Sequence, residues 1–334
     1  MARLWSSIEK YFGIMCIFSA AVAMCLSPCN VLSAEEYKAW TGEFMRIGAG
    51  ARAMGMGNAY TAIDGDIYSS YFNPAGLASM TRREMALSFR YLSMDRYFQY
   101  LVFGSRIGPD ADFAISWIHS GTDDIDGRDL NGIPTGPLED KRNAFTVTFS
   151  KYLNRWVSAG INTKLAFWKL GGDDAKAFGF DIGVLARPWR NLSASFVIRD
   201  INSRFTWKSK RWNKSISGAD GQPLEKEDKF PVYYTGGVAY RIFDEKLVIS
   251  TTVECVEDNS PGLNFGVSYE YNEWFTLRTG LYNYTTSDEL GSGSLTAGFT
   301  ISASGSLSID YAFVADTIED DSIHSISLVF NYGE

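Results

Sequence analysis

From about residue 84 onward, apolar and polar positions alternate with period two. Phe178, Phe180, Ile182 and Val184 alternate with Gly179, Asp181 and Gly183, and Leu263, Phe265, Val267, Tyr269 and Tyr271 with Asn264, Gly266, Ser268 and Glu270. Val157 to Phe167 and Leu295 to Ile301 repeat the pattern. One face is apolar and aromatic, the other small, polar or charged, which is the signature of a strand. A soluble β-sandwich also alternates, but many of these runs last about ten residues or more, roughly twice the usual soluble strand and enough to cross a bilayer at a tilt. About fourteen strands are predicted, starting near residues 84, 97, 111, 142, 155, 175, 191, 230, 245, 262, 274, 292, 305 and 322, and an even number suits a bacterial barrel. Alternate links are tight, as at Gly108-Pro109-Asp110, Asp244-Glu245 and Asn272-Glu273, whereas the other set includes long segments at 121–141 and 202–229. Trp156, Trp189 and Trp274 fall at the tight turns, where an interfacial girdle belongs. The reading is an all-β transmembrane fold, an antiparallel outer-membrane β-barrel of about 14 strands with an N-terminal plug segment.

The first residues set the export route. Arg3 and Lys10 precede an apolar run from Phe12 to Leu26, followed by small residues at Ser33 and Ala34, so 1–34 reads as a signal peptide. Residues 35–83 do not alternate; they are Gly-rich, too short to bury a core of their own, and are expected to pack inside the barrel formed by 84–334. Cys16, Cys25 and Cys29 lie in the leader, leaving Cys255, so no intramolecular disulfide and no Cys-rich metal site is expected.

Composition narrows the function classes. The chain of 334 residues carries a formal net charge of -8, which argues against a nucleic-acid partner. The only histidines, His119 and His324, lack a Ser or Asp partner pattern, so no enzyme activity and no cofactor is expected. The acidic run 123–129 fails as a calcium loop, since Thr122 and Ile133 would stand at its first and last ligand positions. On the polar face of the strands, Lys164 faces Asp181 if a turn centres on Gly172-Asp173, and Glu270 lies diagonal to Arg278; such charges suit a wet or plugged lumen. Trp207, Lys208, Lys210, Arg211 and Trp212 make the 202–229 loop basic and aromatic, a candidate outer contact for polysaccharide phosphates or a partner protein.

Within 35–83, the run Ile47 to Thr61 holds Gly50, Arg52, Gly55 and Gly57; Asp64 and Asp66 follow, then Asn73-Pro74-Ala75-Gly76-Leu77. This pattern resembles the N-terminal signature of the PorV/PorQ family, related to FadL-type transporters whose plug also carries an Asn-Pro-Ala element. Asn264-Phe265-Gly266, Leu277-Arg278-Thr279-Gly280 and Ile309-Asp310-Tyr311 are further matches, and Asn58 stands where the family pattern carries a glycine. The resemblance implies a fourteen-stranded barrel in the bacterial outer membrane, surrounded by its lipid and serving type IX secretion, with exported surface proteins or secretion components as partners. The alternative, from the FadL side, is a passive transporter of hydrophobic compounds such as long-chain fatty acids.

Overall fold

A computed structural model describes residues 41–129, 131–209, 224–256, 261–285, 292–315 and 322–332. The expected leader (1–34), residues 35–40, and Lys210, Arg211 and Trp212 lie outside the described residues.

Fifteen strands form one antiparallel sheet: β1 (Arg83–Leu92), β2 (Arg96–Arg106), β3 (Ala111–Arg128), β4 (Pro134–Asn154), β5 (Val157–Leu170), β6 (Asp173–Trp189), β7 (Leu192–Ser209), β8 (Leu224–Lys229), β9 (Tyr233–Ile242), β10 (Leu247–Val256), β11 (Gly262–Asn272), β12 (Phe275–Thr285), β13 (Ser292–Ser304), β14 (Leu307–Ala315) and β15 (Ile323–Tyr332). Neighbours in sequence pair, except that β7 pairs with β9 through Leu192–Arg199 while β8 pairs with the far end of β7. β1 pairs with β15, from Arg83↔Tyr332 to Tyr91↔His324, and closes the ring. The result is a closed 14-stranded barrel with β8 as an extra flap.

Burial inverts that of a soluble protein. Ala86, Ser88 and Arg90 of β1 are buried inside, whereas Phe89 and Tyr91 face out. The outward apolar positions Phe145, Val147 and Phe149, Ile161 and Leu165, Phe178, Ile182 and Val184, Leu263 and Phe265, and Ile326 are all exposed. A belt of this kind is soluble only against hydrocarbon. Trp156, Trp189 and Trp274 sit exposed at the tight turns, with Arg155 4.1 Å over the Trp156 ring. The tight turns mark one end of the barrel and the long links the other.

Two expected loops carry strand at both ends. β3 runs on to Arg128 and β4 starts at Pro134, so much of 121–141 is a paired hairpin, and β7 and β8 cover both ends of 202–229. Past the membrane both faces of a strand are wet, and the alternation that reveals strands disappears. The hairpin β5–β6 turns at Gly171-Gly172, both at positive φ (57° and 97°), one residue earlier than expected. Cys255 is disulfide-bonded, correcting the expectation of a chain without such a bond.

Candidate functional site

The barrel interior is filled by its own N-terminal segment. A 3-10 turn at Glu43–Met45, one-turn helices at Ala51–Met54 and Ser69–Phe72, and a 3-10 turn at Pro74–Ser79 supply the core, including Phe44, Tyr60, Tyr68, Phe72 and Leu77. Asn73 starts the last turn by accepting from the Ala75 amide (3.0 Å) and donates to the Thr61 carbonyl (3.1 Å). Asn58 has φ 57°, a left-handed backbone that Asn tolerates better than other side chains.

Close approach to the wall is made by inward glycines. Gly266, Gly280 and Gly298 of β11, β12 and β13 admit Gly55, Met56 and Gly57; a Cβ on Gly280 would lie 2.5 Å from the Gly57 nitrogen. Gly160 and Gly183 of β5 and β6 admit Asn73-Pro74 in the same way. Gly50 packs flat on the Tyr68 ring, and a Cβ on Gly76 would sit 3.0 Å from the Ile63 carbonyl oxygen. The glycines of the sequence motif are thus explained by packing. Their partners on the wall had a readable sign, glycine recurring on the polar face of the strands, but alternation alone marked them only as small.

Wall side chains satisfy the carbonyls of this irregular backbone, which could not otherwise be buried. Ser150 and Ser158 donate to the Ala75 oxygen (3.2 and 2.8 Å), Asn162 to Ser70 (3.1 Å), Arg199 to Phe72 (2.7 Å) and Ser193 to Ala62 (2.7 Å).

Three ion clusters tie the segment to the wall. Asp64 accepts from Arg187 (2.6 Å), Arg241 (2.5 Å) and Ser79 (3.1 Å). Arg52 pairs with Asp66 (3.2 Å) and Asp310 (3.3 Å), and Tyr60 donates to Asp66 (2.5 Å). Burial opposes the Arg52 charge, but Asp310 and Asp66 outweigh it and hold its pKa well above the ordinary value; burial and then Asp66 push the Tyr60 hydroxyl up. Asp310 also accepts from Thr300, to which Arg278 donates (2.5 Å). In the third cluster Lys164 bridges Asp181 (2.7 Å) and Asp200 (2.9 Å), Arg46 binds Asp200 (2.9 Å), and Asn162 donates to Asp181 (3.1 Å).

At the long-link end a cavity of about 440 Å³ opens above the segment. Ile47, Met54, Leu92, Val314 and Ile323 give it an apolar lining, with Arg90, Asn58, Arg96 and Tyr282 as polar groups. Arg90 is only 4% exposed and donates to the Ile47 and Gly48 carbonyls (2.9 and 3.0 Å). Among the described residues no carboxylate pairs with it.

The structure brings Lys164 and Asp181 together, although Lys164 stands opposite Gly179 and reaches Asp181 diagonally. Glu270 and Arg278 do not meet: Glu270 is exposed, opposite Thr276, while Arg278 turns to Thr300. Trp207 faces inward, its ring tilted against Trp168 (centroids 5.0 Å apart) and its indole donating to Asp228 (2.8 Å), so it belongs to the aromatic cluster of the mouth and not to an outer contact; Lys208 is exposed on β7. His119 and His324 face outward among Trp117 and Tyr97, and among Tyr311 and Phe313. Arg46, Arg90, Arg187, Asp200 and Arg241 were not singled out from the sequence, and Asp310 only within the Ile309-Asp310-Tyr311 match; their mark is a charge on the inner face of a strand, or, for Arg46, within the Gly-rich segment.

The same architecture occurs in solved structures. The Pseudomonas putida toluene transporter TodX superimposes with a TM-score of 0.59 at 14% identity, over 85% of this chain and 97% of that one. A FadL homologue from Pseudomonas aeruginosa gives 0.55 at 12% identity, over 83% and 96%. The protein is an integral outer-membrane β-barrel of FadL-like fold. No protein-family model matches this FadL-like barrel, and no curated protein matches its sequence. Its tight turns face the periplasm and its long links the outside, as in bacterial barrels generally.

Proposed function

We infer that this barrel is a passive route for hydrophobic small molecules across the outer membrane, with residues 41–83 as its plug. The observation that carries the reading is the Arg90 cavity. A buried guanidinium with no carboxylate partner faces an apolar chamber at the extracellular mouth, and a buried cation of this kind favours an anionic ligand. An amphiphile with an acidic head and an apolar tail, such as a long-chain fatty acid, matches both features. The neighbours support the same direction, since TodX is described as a toluene transporter. The secretion reading rests on the motif between Ile47 and Leu77, and packing accounts for its glycines without a secretion partner.

The test is mass spectrometry on the barrel purified from its native membrane in mild detergent. A hydrophobic anion retained at near one per barrel, and lost in Arg90→Leu, is expected. A stoichiometric exported protein with no such ligand would replace transport by the type IX secretion role.

A further inference from the structure

The periplasmic end of the lumen holds an arrangement that transport through the Arg90 cavity does not require. Arg187 of β6 and Arg241 of β9 both donate to the same oxygen of Asp64, and Ser79 donates to the other. Among the described residues neither arginine pairs with another carboxylate, so two cations share one anion. The Nε of Arg187 is buried without a partner. Convergent guanidinium forks are the donor set that recognises carboxylate and phosphate. Here the occupant is the chain's own side chain.

We propose that Arg187 and Arg241 form an anion-binding site at the periplasmic mouth, that Asp64 fills it as an internal stand-in, and that the anionic headgroup of a passing amphiphile takes its place and frees the floor of the lumen. The same arginine organises a second tether: Arg241 donates to Ser193 (3.1 Å), which donates to the Ala62 carbonyl. Losing Asp64 therefore loosens the backbone from Ala62 to Asp64 at two points. Access is built in, because the Arg187 side chain is 32% exposed while Asp64 is 2% exposed. The exchange replaces one carboxylate by another on the same donors, so no buried cation is left unpaired, and the headgroup has to offset only the tethered advantage of Asp64. The Lys164 cluster offers no such exchange, since all its members are nearly fully buried. The nature of the displacing anion rests on the transport reading; the clamp itself does not.

The experiment is ionic current through the purified full-length barrel in planar lipid bilayers, for the parent, Asp64→Asn and Arg187→Gln, with sodium decanoate or decanol added. Heat-modifiable migration on gels confirms that each variant is folded. Removing one partner of a buried ion cluster shifts such an equilibrium strongly, so Asp64→Asn is expected to raise the mean current about tenfold or more. Arg187→Gln, which leaves Asp64 with Arg241, raises it less and stands in should Asp64→Asn not fold. Decanoate raises the parent current and decanol does not, and decanoate adds little to Arg187→Gln. Variants as closed as the parent, or a parent that responds alike to decanoate and decanol, overturn the proposal. A barrel that shows these clamp responses yet retains no hydrophobe from its native membrane refutes the transport reading alone.

Discussion

The two halves of the inner segment are held by different physics. Residues 50–58 lie on β11–β13 chiefly by shape, Gly55 and Gly57 meeting Gly280 and Gly298 backbone to backbone, with the Arg52–Asp310 pair and the hydrogen bonds to Ser327 and from Thr296 beside that contact. Residues 61–76 are held mainly by donors from the opposite wall, with Ser150, Ser158, Asn162, Ser193 and Arg199 each satisfying a carbonyl. A shape contact cannot be traded for anything in solution, and it persists or is lost whole. A hydrogen bond or ion pair can be traded for water or for a ligand of the same chemistry. The first half is thus the fixed part of the plug and the second the part able to exchange.

Several substitutions break or sharpen this contrast. Lys164→Met leaves Asp181 and Asp200 buried beside fewer cations, and the cost of breaking such a cluster is about 3–5 kcal/mol. It is expected to produce the largest fall in the unfolding temperature, and an unchanged midpoint would remove this ion cluster from the account of the wall that seats the second half. Gly280→Val drives a side chain into the Gly57 backbone, which no rotamer relieves, at about 1–3 kcal/mol or more. Limited proteolysis is expected to cut residues 50–58 in this variant while the barrel stays resistant; full protection would defeat the shape argument. Asn73→Ala removes a cap, at about 1 kcal/mol, visible as faster amide exchange at Ala75. Ser158→Ala is smallest, at or below about 1 kcal/mol, because Ser150 still serves the Ala75 carbonyl; the double variant with Ser150→Ala should exceed the sum of the singles.

Much of the barrel was legible in sequence and little of the plug's seat. The alternation in β5, β6, β11 and β13 places strands because one face must meet lipid, and ten or more residues are needed to cross it. The contact of Lys164 with Asp181 survived a turn misplaced by one residue, since that error moves the pairing by two positions and keeps both side chains on the inner face. Glu270 and Arg278 shared a face too, yet facing inward near a turn is not being near, and Thr300 offered Arg278 a closer partner. The Asp64–Arg187–Arg241 and Arg46–Asp200 pairs join positions more than a hundred residues apart, and no local period encodes such a meeting.

Closure of β1 onto β15 has a consequence for biogenesis. The seam joins the first strand to the last, so the ring cannot seal until the final residues are available, and this most non-local pairing bears the largest loop-closure entropy. The inner segment precedes β1 and is larger than any gap left between paired strands. It must therefore already lie within the curling sheet when the seam zips, and Arg90, on the seam strand itself and opposite Ser325, grips it through Ile47 and Gly48 at that moment. Assembly order is written into the circle: the cork is laid first, and the bottle is blown around it.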